Sequence, residues 1–144
     1  MSAEQARETL RQYAEALLAR GDYAQFFAGD VEFSLVGTDQ HARGRNEVEQ
    51  AIRFMHETAF DARPEIKAIV VEEHAAAVEA DFVGTHTADF AGEAATGRSV
   101  RVPYSVLYDL EGHKIKALRI YMPMDALLGQ IRGTSRSEVA SSPA

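Results

Sequence analysis

RSVRVPYSVLYDLEGHKIKALRIYM, residues 98–122, is dense in β-branched and aromatic residues and is broken once, at Glu111-Gly112. Two such runs about a short Gly-containing break read as a hairpin of two long strands. In the second strand one face carries Ile115, Ala117, Arg119 and Tyr121, and the other carries Leu118, Ile120 and Met122. Apolar groups on both sides predict a sheet covered on both faces. Upstream, EIKAIVVEE and AAAVEADFVGTHT have the same texture, so four consecutive strands are expected from Pro64 onward. Gly84 lies inside one of them, where a β-bulge would exchange the faces of every later residue. ADFAGEAATG (88–97) is a longer loop of the kind that forms a lid.

Before the strands the pattern is helical. Ser2 and Gln5 form a capping box, and Leu10, Tyr13, Ala14, Leu17 and Leu18 keep helical spacing up to Gly21. Asp22 and Gln25 signal a short turn carrying Tyr23, Phe26 and Phe27. VEFSLVG then alternates as a strand, and TDQHARG reads as a loop. Asn46 with Glu49 is expected to cap a second helix on Val48, Ala51, Ile52, Met55 and Ala59. After Pro123 a third, short helix runs through Leu127, Leu128 and Ile131, with Asp125 as its cap and Gly133 as its end. The expected class is α+β, a strongly bent antiparallel sheet closed on one side by helices. Residues 1–133 are read as one domain and 134–144 as a disordered tail.

The 144 residues include 15 Lys plus Arg against 22 Asp plus Glu, a net charge of −7, and no Cys. A chain this long can bury about 70% of its surface, so its core needs no disulfide or metal. Absence of Cys removes thiolate metal sites and cysteine nucleophiles. The acidic balance without a basic run argues against nucleic acid, and the lack of a long apolar stretch against a membrane, so a cytoplasmic location is expected. His41, His56, His74, His86 and His113 are scattered, which argues against a bound metal. Neither a dinucleotide fingerprint nor a phosphate loop occurs, so no cofactor is expected.

The segments from Tyr13 to Ile52, Gly84-Thr85-His86-Thr87, Thr96-Gly97-Arg98, and the strand ending in Arg119 and Tyr121 followed by Leu128 and Gln130 resemble the SnoaL-like polyketide cyclases of the nuclear transport factor 2-like superfamily. The resemblance spans about residues 5–132. It implies a cone-shaped barrel around a deep apolar pocket, usually in a homodimer that buries the outer face of the sheet. Where many relatives have an aspartate two residues after the final-strand tyrosine, this chain has Pro123. The carboxylates of steroid isomerase relatives would fall near Ser34 and near Pro103 or Tyr104, and are also absent.

The candidate catalytic groups are therefore donors more than bases: Tyr13, His86, Tyr104, Arg119 and Tyr121. Phe33, Ser34, Met55, Phe82, Met122 and Asp125 are candidate substrate contacts. Each has a plainer role open to it: Tyr13 as a core tyrosine, His86 as a structural histidine, and Arg119 in a salt bridge to Glu79 or Asp81. The leading reading is a cyclase that folds a long apolar polyketide or polyene and promotes ring closure, including cycloaddition, or isomerisation, mainly by positioning. A second reading is epoxide hydrolysis or acid–base cyclisation by Asp81 or Asp125 with Arg119. A third is a non-catalytic small-molecule-binding dimer.

Overall fold

A computed structural model describes residues 2–133, so the expected tail at 134–144 lies outside the described residues. Helix α1 spans Ala3–Leu18 and opens on the expected capping box. Ser2 Oγ accepts from the Gln5 amide at 3.1 Å and Gln5 Oε1 accepts from the Ser2 amide at 2.9 Å. Its buried face is Ala6, Thr9, Leu10 and Tyr13, whereas Leu18 is 38% exposed because the helix ends there. Arg20, not Gly21, takes the left-handed position, with φ 54°. The Arg20 amide donates to the Leu17 carbonyl and the Gly21 amide to that of Ala16, completing a Schellman end. Arg20 is held in this costly conformation by its guanidinium, which donates to the His56 and Ala62 carbonyls and to Asp61.

A 3₁₀ turn, Tyr23–Phe26, follows; the Asp22 side chain makes no capping bond to it. Strand β1 is Phe27–Leu35, and β2 is His41–Arg43, inside the stretch expected to be loop. Three residues are too few to show a period, and β2 exists through its pairing with β1. Helix α2 is Arg45–Arg53. Gly44 is its cap, so Asn46 and Glu49 lie inside the helix, where Glu49 binds Arg53 at 2.8 Å. One π-helical turn, Phe54–Thr58, continues α2.

The four expected strands are β3 (Phe60–Val71), β4 (Ala75–His86), β5 (Ser99–Glu111) and β6 (Lys114–Tyr121). Gly112 and His113 both have positive φ, the conformation of a type I′ turn, and make the tight β5–β6 hairpin. Helix α3, Met124–Arg132, starts from Pro123 as cap and stops at Gly133 with φ 78°. Asp125 sits within its first turn and not at the cap.

The strands form one sheet in the order β2-β1-β6-β5-β4-β3, with β2 and β3 as its edges. It is mixed and open, not a closed antiparallel barrel, because β1 pairs parallel with β6. Gly84 causes no bulge: β4 keeps unbroken register with β5 across it. A shift occurs instead between Asp109↔Ala117 and Leu110↔Ile115, leaving Lys116 as the extra residue. Ile115 is consequently fully buried on the side of Leu118, while Ala117, Arg119 and Tyr121 turn outward. The outer face is thus more polar than expected.

Two apolar clusters fill the inner side. One joins α1, α2 and β1 through Leu10, Tyr13, Phe27, Val31 and Val48; the other joins β3, β4, β5 and α3 through Phe60, Phe82, Val102, Leu127 and Ile131. Tyr104 packs against both.

Candidate functional site

Between the clusters lies a chamber of about 90 Å³. Tyr13 and Leu17 come from α1, Ile52 and Met55 from α2 and the π turn, Phe82 from β4, Tyr104 and Tyr108 from β5, and Leu118 and Ile120 from β6. Phe33, Leu35, Ala51 and Met55 also line a wider neighbouring cavity, the mouth, of about 620 Å³, so these four side chains stand between the two spaces. The chamber holds about three water volumes, whereas the mouth falls in the range of about 300–1,000 Å³ usual for ligand pockets. Phe54, Phe90, Ala91 and Met124 form the apolar rim, with Glu47 and Asp89 as its carboxylates.

Six of the residues singled out from the sequence meet in the chamber: Tyr13, Phe33, Met55, Phe82, Tyr104 and Met122. Tyr13 and Tyr108 pack edge to face, with ring centroids 5.9 Å apart. Burial holds the Tyr13, Tyr104 and Tyr108 hydroxyls well above the usual phenol range, so all three are protonated donors at neutral pH.

The other five lie elsewhere. His86 is fully buried, with its ring 5.3 Å from that of Phe60, and its Nδ1 accepts from the Thr96 amide at 3.2 Å. Its backbone also binds Arg98 and Gly97, so it closes the base of the 88–97 loop and does not line the chamber. The loop tip reverses at Ala91 and Gly92, and Glu93 binds Arg132 of α3 at 2.8 Å.

Arg119 points to the outer face, where it makes a two-pronged pair with Asp109 at 2.8 and 3.1 Å, not with Glu79 or Asp81. Ser34 sits opposite Arg119 in the β1–β6 pairing and lines the same outer groove, and Tyr121 is 43% exposed. The Lys116 bulge and the period of two put all three out of reach of the chamber. Asp125 lines neither the chamber nor the mouth.

Asp81 also lines neither, its carboxylate being bound by Arg101 at 2.9 Å and Lys67 at 3.2 Å. Burial pushes its pKa up, but the hydrogen bonds from Arg101 and Lys67 outweigh that and hold it below the usual carboxylate range. It is a structural anion of the outer face. Among the described residues no group of three or more His, Asp or Glu side chains is placed to hold a metal ion. No described helix is long and apolar enough to cross a membrane.

Among the chamber residues that the sequence reading did not single out, two carry polar groups, Tyr108 and His56. Tyr108 follows Tyr104 by four along β5, so the period of two that turned one inward should have turned both. His56 follows Val48 and Ile52 at helical spacing. Its Nδ1 lies 2.8 Å from the Ile52 carbonyl oxygen, and its Nε2 is buried without a hydrogen-bond partner among the described residues, as is the Nε2 of His86. Burial, aided by the Arg20 charge, pulls its pKa below the usual imidazole value against the pull of the Ile52 carbonyl and Glu57.

The family described as SnoaL-like polyketide cyclase matches residues 7–131. Among curated proteins none matches the chain. A solved structure from Jannaschia sp. CCS1, assigned as a candidate SnoaL-like polyketide cyclase, is 18% identical with a TM-score of 0.79, covering 99% of this chain and 95% of that one. A candidate polyketide cyclase from Xanthomonas campestris pv. campestris gives 17% identity and a TM-score of 0.80 over 90% and 98% of the two chains. An LEH-like epoxide hydrolase from M. tuberculosis gives 17% and 0.69 over 97% and 98%. At these identities the likeness shows a shared fold.

Proposed function

The chain belongs to the SnoaL-like polyketide cyclase family, and on that premise we propose that it is a cofactor-independent enzyme that folds a long apolar polyketide or polyene and promotes ring closure, including cycloaddition, or isomerisation. The observation that carries this reading is an apolar chamber beside a wide mouth, whose three tyrosines are hydrogen-bond donors and whose lining contains no carboxylate among the described residues. Holding the reacting ends close removes much of an entropic barrier, and donors aimed at a carbonyl oxygen stabilise charge as it develops there. The proposed setting is natural-product biosynthesis in the cytoplasm. A hydrolase would have to draw its water-activating carboxylate from Glu47 or Asp89 at the rim, since Asp81 and Asp125 line neither cavity.

The test is thermal unfolding in the presence of linear polyenes, aromatic polyketides, apolar epoxides and steroids, with mass spectrometry of each mixture. A ligand at a hundred times its dissociation constant adds about 2.7 kcal/mol, which raises the midpoint by several degrees. The expected result is a rise accompanied by a product of unchanged mass and altered retention. A product heavier by one water would support hydrolysis, and a ligand recovered unchanged would support a carrier.

The same reading takes the protein as a homodimer joined through the outer face of the sheet, where Leu107 is 37% and Tyr121 43% exposed beside the Arg119–Asp109 pair. Light scattering is expected to give twice the chain mass, and Leu107→Glu to return it to one. A wild-type mass of one chain would sink the dimer.

A further inference from the structure

Phe33 and Leu35 are two apart on β1 and share one face of the strand, while Ala51 and Met55 are four apart on α2 and its π turn and share one face of the helix. These four side chains line both the chamber and the mouth, and no other described residue does. All four are half-buried, whereas Tyr13, Phe82, Tyr108 and Leu118 of the chamber are at most 5% exposed. Burial deepens inward from the four, which makes them a gate. Phe33 packs against the first apolar cluster and Met55 against the second, so the gate lies where the two halves of the core meet.

The gate is uneven: three of its members are large, and the fourth is a single methyl group. Ala51 is followed by Ile52 and preceded by Val48, which seat α2 in the core, and a longer side chain in its place would project into the space between the two cavities. Phe33 and Leu35 are fixed, since β1 pairs them with Leu118 and Ile120 of β6. Met55 can yield, because an unbranched thioether turns about three bonds. The width of the passage therefore depends on Ala51 and Met55. Beyond it, a chamber of about 90 Å³ has room for about three or four chain carbons, each about the size of a water molecule, and for no fused ring. The mouth, at about 620 Å³, accepts a body several times larger.

We infer that this gate is the specificity filter of the site, with Ala51 setting its width, and that the ligand has two parts: an unbranched apolar end that passes into the chamber and a bulkier body that stays in the mouth. The inference rests on the reading of chamber and mouth as the substrate site, and it narrows the substrate class to molecules with a straight alkyl or polyene end. Fused rings and ends carrying a quaternary carbon stop at the gate. Each chain carbon that enters the chamber leaves water, a gain of about fourfold in affinity per carbon. An end that stops at the gate forfeits that gain.

The probes are two isomeric homologues of the fluorophore prodan, one with an n-hexanoyl tail and one with a tert-butylacetyl tail, whose emission moves to the blue on leaving water. Formula and naphthalene body are the same in both, so their affinity ratio reads the shape of the tail alone. The wild type is expected to bind the straight isomer about tenfold or more tighter, the worth of about two buried carbons. Ala51→Leu should weaken the straight isomer by about tenfold and leave the branched one little changed. Met55→Ala should strengthen the branched isomer and narrow the ratio. A general loss of stability would weaken both isomers alike and leave the ratio where it was. Equal or reversed affinities in the wild type, or a ratio unchanged in both variants, overturns the filter while the pocket reading stands. No blue shift and no rise in unfolding midpoint with either isomer overturns the pocket reading and the filter with it. Should Ala51→Leu fail to fold, Met55→Ala decides: tighter binding of the branched isomer supports the filter, and unchanged binding overturns it.

Discussion

Gly84→Ala is expected to destabilise the protein by about 3–5 kcal/mol, lowering its midpoint by about 10–15 °C. A Cβ on Gly84 would stand 2.2 Å from the Asp61 carbonyl oxygen, 2.5 Å from Ala62 Cα and 2.6 Å from Ala62 Cβ. These are mostly backbone atoms of the neighbouring strand, with which Gly84 pairs residue for residue. They cannot swing aside as the end of a long side chain could. To make room β3 must retreat, but Phe60 anchors its start in the core and Arg20 binds Asp61 and Ala62. The constraint is space, not a left-handed backbone. Gly37→Ala supplies the contrast: its φ is 86° but nothing lies within 4 Å of the added carbon. That variant should lose only about 1–2 kcal/mol, from backbone strain. Thermal unfolding of the two side by side checks the argument. A Gly84→Ala midpoint as high as that of Gly37→Ala would show that β3 and β4 can separate without cost.

Phe82→Ala is the second large effect, because one side chain serves both the core and the chamber wall. Phe82 is 1% exposed and touches Phe60 at 5.2 Å, His56 at 5.4 Å and Tyr104 at 6.4 Å, each near-perpendicular. Losing the ring removes its transfer energy and leaves a void that surrounding strands cannot fill. The cost is about 3–5 kcal/mol. The void opens onto the 90 Å³ chamber, so the variant acquires room that the wild type lacks. An apolar cavity of this kind stays dry and binds small aromatics. Benzene at a hundred times its dissociation constant should therefore restore about 2.7 kcal/mol to Phe82→Ala and much less to the wild type. Midpoints of both proteins, with and without benzene, measure the two effects separately. An unchanged midpoint in the variant without benzene would mean that Phe82 is not a wall of the core.

Much of the fold was legible because its signals are local. The Ser2–Gln5 capping box, the helical spacing of Leu10 and Tyr13, the four strands beyond the second helix and the reversal before Lys114 all appear where their residues predict them. The misses are also local in origin. Asn46 matched the pattern of a helix cap, but Gly44 ended the preceding strand two residues earlier and took that position. Gly21 matched the pattern of a helix stop, but Arg20 found three acceptors that hold it in the left-handed conformation. Neither competitor carries a distinctive signature of its own.

The site divides in the same way. Tyr13, Phe82 and Tyr104 were legible as inward residues because each sits at the right period on an element that has no irregularity before it, and Met55 because the π turn begins only one residue earlier. Arg119 and Tyr121 were not, since the extra residue at Lys116 lies between Ile115 and them and reverses the faces. His56 looked like any residue on an apolar helical stripe until the fold enclosed Nε2 and left Nδ1 its helical partner.

By itself, then, the amino-acid order determined the class of the fold, the strand and helix segments and the apolar, donor-rich character of the pocket, because these depend on neighbours within about one turn of helix or one pair of strand residues. Only the tertiary structure decided the parallel β1–β6 pairing, the face on which Arg119 lies and the isolation of His56 Nε2. Each of those depends on register and packing between residues far apart in the chain, where a shift of one position exchanges inside for outside.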